Sequence, residues 1–223
     1  LSQKDKFGYI KDKYSEITGQ KIDKVLVFTT SNLIDFTNLI GGVDIYLEKG
    51  FTDNQYPNPD YIKNPSPKIP IYKTVSFPSG WVKLNSSNIT EFVRSRKSAQ
   101  TAAEGGTDIG RIYRQQLLID AIMAKIKTPS FYKSPKTLIN LYNFWHQKIE
   151  TDIKDDDLIS LALKMKKQAL NLSISKTTLP VGATAQDGVI YHPDTFINKQ
   201  WVFIPSLKDY SSVHNFINTA LSQ

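Results

Sequence analysis

The chain has 223 residues and a formal net charge of +7, with 40% hydrophobic and 22% charged residues. These values exclude a collagen-like, low-complexity or disordered chain, and zero cysteines exclude disulfides, thiolate zinc sites and cysteine nucleophiles. No run of apolar residues approaches the ~18 that span a bilayer, and the basic excess favours an anionic partner: nucleic acid, a phospholipid head group, pyrophosphate or an acidic glycan.

The first elements that the sequence predicts are a strand, a helix and a second strand. Residues 24–29 have the apolar character of a short buried strand. Ser31 can cap a helix whose apolar residues recur at helical spacing, and Gly41-Gly42 ends it. Residues 43–47 resume a strand. Two strands that flank one helix through tight turns favour an α/β architecture.

The middle of the chain is predicted to combine a loop, a strand and a short helix. Five prolines among many polar residues indicate a surface loop over residues 52–70. Residues 73–77 favour a strand, and a helix then leads to Arg94. The candidate caps of this helix are Ser86 or Ser87, with Glu91 as the capping-box partner.

The second half of the chain is predicted to be mainly helical. A polar loop over residues 97–106 precedes a helix that Asp108 can cap and whose apolar face continues to Ile126. The remaining predicted elements are helices at 135–148 and 155–170, strands near 172–176 and 201–204, and a helix near 210–221. No internal repeat or linker is visible, so we expect a single domain over residues 1–223.

Arginine is rare and clustered in this chain. Of the 28 basic residues 24 are lysine, and the four arginines fall within 21 residues: Arg94, Arg96, Arg111 and Arg114. Arginine differs from lysine in its planar fork, which binds phosphate or carboxylate in a bidentate manner. The cluster therefore indicates a phosphate site, with pairing to the protein's own carboxylates as the alternative.

The spacing of the arginines is compatible with one anion pocket. Arg94 and Arg96 point to one face if the chain is extended there, whereas Arg111 and Arg114 share a face of a first helical turn. Helix N-termini also attract anions. Two such pairs would surround one group with two or more phosphates, and a glutamine at 115 or 116 would add a neutral hydrogen bond.

Signals for other chemistry are weak. The three histidines lie far apart, without the spacing of metal ligands or of a Ser-His-Asp triad. The aspartates at 152 and 155–157 lack the glycine and glutamate of an EF-hand loop and fit the positive end of a helix better. No glycine-rich phosphate motif follows a strand, which disfavours the common nucleotide folds.

Four motifs, in this order, give the chain a resemblance to a known family. They are Gly41-Gly42-Val43-Asp44, the phrase from Phe77 and Gly80 to Leu84-Asn85, Arg94-Ser95-Arg96, and the string Asp108-Ile109-Gly110-Arg111-Ile112-Tyr113-Arg114-Gln115-Gln116. The chain resembles the LytR-CpsA-Psr family of cell-envelope proteins. The resemblance is good over residues 20–127 and looser over 128–223.

The resemblance implies a fold and a reaction. The fold is an α/β/α sandwich with a central mixed β-sheet, which holds a polyprenyl (pyro)phosphate with its tail in an apolar tunnel. The implied reaction is the transfer of a glycopolymer, such as teichoic acid or capsule, from that carrier to peptidoglycan with Mg²⁺ or Mn²⁺. The full-length protein would be extracytoplasmic and membrane-anchored, with any anchor lying outside this chain.

The resemblance also implies site residues. The residues expected to contact pyrophosphate are Arg94, Arg96, Arg111, Arg114 and Gln115, of which Arg94, Arg96 and Arg111 would carry catalysis; Asp44 is a weaker candidate. The residues expected to line the lipid tunnel are Leu33, Phe36, Ile40, Leu117, Leu118 and Ile122. As ordinary core residues, these six would have the same apolar character.

The chain departs from the family pattern at its start. The family's N-terminal half-domain, with an aspartate and a Pro-Arg-Asp phrase associated with metal and pyrophosphate binding, has no counterpart here, and the metal ligands are not found in this chain. Ser86 also stands where the family usually has glycine. We therefore expect binding of polyprenyl pyrophosphate to exceed turnover. The alternatives are a non-catalytic binding module for polyprenyl phosphate or anionic glycan, and a nucleic-acid-binding regulator, which only the net charge and an old family label suggest.

Overall fold

The computed structural model describes residues 3–97, 108–168, 176–200, 202–207 and 209–222. The helices are α1 (Gln3–Thr18), α2 (Thr30–Leu39), α3 (Pro59–Lys63), α4 (Ile89–Arg94), α5 (Asp108–Ile126), α6 (Pro129–Tyr132), α7 (Pro135–Lys148), α8 (Asp155–Gln168) and α9 (Ser211–Leu221). The strands are β1 (Leu26–Val27), β2 (Val43–Leu47), β3 (Phe51–Pro57), β4 (Tyr72–Phe77), β5 (Gly80–Leu84), β6 (Glu150–Thr151), β7 (Val181–Gly182), β8 (Ile190–Tyr191) and β9 (Ile204–Pro205).

Helices and strands are mixed along the chain, and the predicted α/β fold class is confirmed. The chain divides into two compact units, one formed by Leu1–Val27 with Glu150–Gln223 and the other by Phe28–Ile149. The single domain over residues 1–223 stays a prediction. Among the described residues, no helix combines the length and apolar character needed to cross a membrane.

The second unit is built on one long antiparallel ribbon. Strand β2 pairs with β5, and β3 pairs with β4 in nearly the same register, so the two ladders continue each other. In β2 the residues alternate between buried and exposed, as expected for a ladder with one face on a core. The register shifts again between Asp53 and Tyr56, where a β-bulge interrupts β3.

The core of this unit lies between the ribbon and helices α2, α4 and α5. Leu84, Ile89 and Phe92 are fully buried, and the Phe92 ring meets the rings of Phe51 and Phe77 at centroid distances of 6.0 and 5.2 Å. Contacts among three aromatic rings add to the free energy of burying them. This cluster fixes the short helix α4 against both halves of the ribbon.

The first unit has its own contacts. Helix α1 packs against α9, and β1 pairs with β6. The Asp152 carboxylate accepts a hydrogen bond from the Val25 amide at 2.7 Å and pairs with Lys11. The remaining strands, β7, β8 and β9, form a small sheet that contains a parallel and an antiparallel pair.

Several predicted elements are confirmed, within one or two residues at their ends. Strands β2 and β4 and helices α2, α7, α8 and α9 lie where the sequence predicts them. Helix α2 begins two residues earlier than expected, because Thr29 rather than Ser31 is its N-cap and forms a capping box with Asn32. The strand predicted over 24–29 contains only Leu26–Val27, and the one predicted near 201–204 lies at Ile204–Pro205.

The predicted loop over residues 52–70 is wrong. Strand β3 occupies its first part and helix α3 follows. The prolines do not prevent this, because Pro57 is the last residue of the strand and Pro59 is the first residue of the helix, where neither needs to donate an amide hydrogen bond. Strand β5 and helix α1 have no counterpart among the predicted elements.

The predicted caps of helix α4 are wrong. Asn88, not Ser86 or Ser87, is the N-cap of α4, and its side chain makes no capping bond with that helix. Its amide oxygen instead accepts from the Asn85 amide, and its amide nitrogen donates to the Lys83 carbonyl. Asp108 is the first described residue of α5, so its role as the cap of that helix stays a prediction. The strand predicted at 172–176 and the loop at 97–106 lie almost entirely outside the described residues.

The Gly41-Gly42 pair makes the turn from α2 into the ribbon. Both residues have positive φ, +73° and +80°, a region that other residues rarely adopt. A Cβ atom at position 42 would also lie 2.6 Å from the Leu84 carbonyl oxygen, whereas one at position 41 would meet nothing within 4 Å. The second glycine is therefore required for two independent reasons.

We predict that Gly42→Ala destabilises the protein more than Gly41→Ala. Both variants carry the left-handed strain of about 1–2 kcal/mol, and only Gly42→Ala adds a backbone clash. Urea denaturation monitored by circular dichroism measures both free energies of unfolding. Gly8→Ala, in α1 with open space around its Cβ position, is the control and should be neutral or stabilising by up to ~1 kcal/mol. Equal losses for the two turn variants would contradict the predicted clash.

Candidate functional site

A cavity of about 1020 Å³ opens in the second unit between the ribbon, α3, α4 and the start of α5. Its lining residues are Asp53, Gln55, Tyr56, Pro57, Pro59, Ile62, Lys63, Tyr72, Thr90, Val93, Arg94, Arg96, Lys97, Arg111 and Gln115. Five of these side chains are cationic and one, Asp53, is a carboxylate. The charge of the described lining therefore favours a negatively charged ligand.

Three of the four arginines share this cavity. Arg94 is the last residue of α4, Arg96 follows two positions later, and Arg111 lies in the first turn of α5. The N-terminal amides of a helix and its dipole attract anions, so α5 adds to the field of the arginines. The structure thus brings together Arg94, Arg96 and Arg111, as the sequence predicts.

The fourth arginine supports the site from behind. Arg114 is buried, with 3% of its surface exposed, and is not part of the cavity lining. Its Nε donates to the Phe92 carbonyl at 3.0 Å, its Nη2 donates to the Ser95 carbonyl, and its guanidinium lies 4.4 Å from the centre of the Phe51 ring. We call residues 94–97 the arginine segment. Arg114 is therefore placed to hold the main chain of this segment and of the helix end before it, rather than to line the cavity.

Burial changes the ionisation of Arg114 without removing its charge. Desolvation lowers its pKa to about 10, the nearby Arg111 acts in the same direction, and Asp53 opposes both. A group with this pKa is still protonated at neutral pH. The guanidinium therefore stays a cation, and its hydrogen bonds to backbone carbonyls are charge-assisted.

Gln115 combines both roles. It lines the cavity, and its Nε2 donates to the Val93 carbonyl at 3.3 Å. The last carbonyls of a helix have no partner within it, and Arg114 and Gln115 supply partners to two of them, those of Phe92 and Val93. Neighbouring residues of α5 thus complete the end of α4, which explains why arginine and glutamine follow each other there.

Asp53 is one of the cavity residues that the sequence did not reveal. It is 1% exposed, and its Oδ1 accepts from the Gln55 amide at 2.9 Å. Its Oδ2 accepts from the Arg96 and Lys97 amides at 3.0 and 3.1 Å. In sequence it lies in the segment predicted as a loop, where an aspartate is expected at a turn and exposed. No motif marks it as buried.

Part of the cavity lining is aromatic. Tyr56 is 5% exposed and Tyr72 is half exposed, and both line the cavity. Burial raises the pKa of the Tyr56 hydroxyl, while the positive charge of Arg94 opposes this shift. Tyr56 therefore stays a neutral phenol at physiological pH and adds no negative charge to the cavity.

The six residues expected in a lipid tunnel belong to the core region. Ile40 and Leu118 are core residues, and Leu33, Phe36, Leu117 and Ile122 are partly buried and pack against the core. None of them lines the cavity described above. The tunnel therefore stays a prediction.

The described residues show no cluster of metal-ligating side chains. No group of three or more histidine, cysteine, aspartate or glutamate side chains comes together among them. Among the described residues that line the cavity, Asp53 is the one carboxylate, and both of its oxygens accept amide hydrogen bonds. Proteins often hold Mg²⁺ with only one or two carboxylates together with phosphate oxygens of the substrate, so the expected Mg²⁺ or Mn²⁺ stays a prediction.

Comparison with known proteins identifies the family. The profile of the LytR_cpsA_psr family matches residues 10–203, which is most of the chain. The chain belongs to this family, and the resemblance seen in the sequence is confirmed. No curated protein matches the chain significantly.

Solved structures show the same fold at low sequence identity. A protein from Enterococcus faecalis described as a transcriptional regulator is 16% identical with a TM-score of 0.62, over 96% of this chain and 65% of that one. TagV of B. subtilis is 18% identical with a TM-score of 0.54, over 95% of this chain and 69% of that one. A LytR-Csp2A-Psr enzyme from Actinomyces oris is 11% identical with a TM-score of 0.56, over 91% of this chain and 65% of that one. The chain thus spans about two-thirds of the length of these proteins.

We predict that Arg114 contributes much more than Arg94 to the stability of the folded protein. Arg114→Ala removes hydrogen bonds to two carbonyls near the core, so the free energy of unfolding falls by about 2–4 kcal/mol. Arg94 is exposed at the end of α4, so Arg94→Ala changes it by about 0.5 kcal/mol or less. Chemical denaturation of both variants measures the difference, and an equally stable Arg114→Ala protein would show that Arg114 is not structural.

Proposed function

We propose that the cavity binds the pyrophosphate of a polyprenyl pyrophosphate-linked glycopolymer, and that the full-length protein transfers the glycopolymer to peptidoglycan as a cell-envelope phosphotransferase. The observation that carries this proposal is the convergence of Arg94, Arg96 and Arg111 on one cavity. Membership of the LytR-CpsA-Psr family supports the envelope glycopolymer transferase class.

The chemistry of the cavity favours a diphosphate over a single phosphate. Each guanidinium can bind two oxygens of one anion in a bidentate manner. The three arginines together with Lys63 and Lys97 offer more hydrogen-bond donors than the oxygens of one phosphate can accept. During phosphoryl transfer, negative charge grows on the departing phosphate oxygen, and fixed cations stabilise that charge. The arginines would therefore bind the carrier and also favour its release as leaving group.

The expected Mg²⁺ or Mn²⁺ remains part of the proposal. A divalent cation would neutralise further charge on the diphosphate. The described residues contain no cluster of three or more metal-ligating side chains, and this observation favours a second candidate function for this chain. That candidate is a non-catalytic module that binds polyprenyl phosphate or an anionic glycan.

Nucleic-acid binding is the weaker candidate. The relative from Enterococcus faecalis is described as a transcriptional regulator, and the net charge of this chain is +7. Reading DNA requires cations on an exposed element that fits a groove. Here the arginines line a cavity or lie buried beneath it, which suits a compact anion better than a duplex.

The partners and location that we propose follow from the carrier. A polyprenyl tail is held in a membrane, so the site would work close to a bilayer. Members of this family generally act outside the cytoplasm, which agrees with a peptidoglycan acceptor. The extracytoplasmic location and a membrane anchor in the full-length protein are thus part of the same proposal.

We predict that the chain binds farnesyl pyrophosphate more tightly than farnesyl monophosphate. Arg94→Ala, Arg96→Ala or Arg111→Ala should each weaken diphosphate binding at least about tenfold, since a charge-assisted hydrogen bond contributes ~1.5–3 kcal/mol. Lysine at the same positions should restore part of the affinity, because a point charge replaces the fork. Isothermal titration calorimetry measures the affinities.

The control for these variants is Lys136→Ala. Lys136 is an exposed cation in α7 outside the cavity lining. Its removal changes the net charge by the same amount as each arginine variant and should leave the affinity for farnesyl pyrophosphate unchanged. A duplex DNA oligonucleotide provides the competing ligand. Tighter binding of DNA than of farnesyl pyrophosphate, or equal effects of Lys136→Ala and Arg111→Ala, would refute the proposed diphosphate site.

We also predict that this chain binds polyprenyl pyrophosphate but transfers its glycopolymer only slowly. Loss of a metal lowers transition-state stabilisation more than ground-state affinity. Incubation with a lipid pyrophosphate-linked saccharide and a peptidoglycan acceptor, with and without Mg²⁺, measures product by mass spectrometry. Rapid Mg²⁺-dependent turnover would show that this chain holds the metal and is a complete enzyme.

A further inference from the structure

We infer that Asp53 is a positioning residue for the anion site, and that it sets the main chain of Arg96 and Lys97 so that their side chains face the cavity. The inference rests on the proposed diphosphate site and extends it to a residue outside the arginine motifs. Asp53 comes from β3 of the ribbon, more than forty positions before the segment it holds.

The arginine segment needs external hydrogen-bond partners. Helix α4 ends at Arg94, and Ser95 has extended backbone angles, φ −56° and ψ 136°. The Arg96 and Lys97 amides therefore lie beyond the helix, and both donate to one oxygen of Asp53. On the other side of the segment the Ser95 carbonyl accepts from Arg114. Two buried side chains of opposite charge thus hold the amides and the carbonyl of one short stretch.

The same carboxylate also bonds within its own strand. Its second oxygen accepts from the Gln55 amide at 2.9 Å, within the bulge of β3. Gln55 and Tyr56, which follow Asp53 in this strand, also line the cavity. Asp53 therefore joins the bulge of β3 to the Arg96 and Lys97 amides through three amide hydrogen bonds.

A carboxylate suits this position better than its amide isostere. An ionised aspartate has two acceptor oxygens and no donor, so it can accept from Gln55 on one oxygen and from the other two amides on the second. An asparagine side chain would present an NH₂ group to one of these sets of N–H donors, and at least one set would lose its partner. Leaving a buried amide unpaired is costly, so the segment would shift.

Because Asp53 is negatively charged, an electrostatic role and a positioning role predict opposite changes in diphosphate affinity for Asp53→Asn. A negative carboxylate in the lining of an anion site repels the ligand, so a purely electrostatic view predicts that Asp53→Asn strengthens diphosphate binding. A positioning role predicts the reverse, because the arginine segment loses its anchor. The direction of the change therefore separates the two roles.

The test compares Asp53→Asn with wild type by two independent measurements. Calorimetry with farnesyl pyrophosphate should show affinity reduced about tenfold or more, which corresponds to ~1.4 kcal/mol. Hydrogen exchange followed by NMR on the unliganded protein should show faster exchange of the Arg96 and Lys97 amides. Unchanged or tighter binding, or unchanged exchange at these two amides, would overturn the inference.

The matched control is Asn32→Ala. Asn32 is also buried in the second unit and joins two segments, because its side chain accepts from the Thr29 amide and donates to the Lys148 carbonyl at 2.8 Å. It does not line the cavity. This variant should lose stability without a change in diphosphate affinity. If it weakens binding as much as Asp53→Asn does, general destabilisation explains the effect and the inference fails.

A second pair of variants leaves the buried carboxylate in place. Lys97→Pro and Lys97→Ala both remove the side chain, but only proline also removes the amide that donates to Asp53. We expect Lys97→Pro to bind farnesyl pyrophosphate several-fold more weakly than Lys97→Ala, and equal affinities would count against the inference. If the wild-type protein fails to bind the diphosphate, the proposed function falls, while the exchange of the Arg96 and Lys97 amides still decides whether Asp53 holds the segment.

Discussion

The candidate site depends on the satisfaction of the backbone at the end of α4. The last carbonyls of this helix point toward the interior, where no solvent replaces the missing helical partners. Arg114 supplies donors to the carbonyls of Phe92 and Ser95, and Asp53 supplies acceptors to the amides that follow. Only because these polar groups are paired can the arginine segment lie against the aromatic cluster of the core and present its side chains to the cavity.

The arginine cluster therefore contains two kinds of residue. Arg94, Arg96 and Arg111 line the cavity, and Arg114 stabilises the main chain behind it. The properties of the guanidinium serve both purposes, since its fork matches two oxygens of an anion as well as two carbonyls of the backbone. Clustering of arginines in a sequence thus predicts a shared cavity without showing which members line it.

The sequence predicted much of the fold and only part of the site. Helices such as α7, with proline in its first turn and Ser134 as cap, follow from local chemistry, and β2 follows from its alternation of buried and exposed residues. Strand β3 was missed because its bulge breaks that alternation, and its prolines resemble those of a loop. The role of Asp53 depends on contacts with residues more than forty positions away, and those contacts exist only once the ribbon and α4 have folded together.

The shortness of α4 has a thermodynamic consequence. Six residues are too few for a helix to persist alone in water, so the wall that carries Arg94 exists only while the ribbon and α5 are folded around it. Assembly of the anion site and cooperative folding of the second unit are then one equilibrium. A ligand that recognises the assembled wall is bound by the native state alone, and its binding energy appears as resistance to heat and denaturant that grows with the logarithm of ligand concentration.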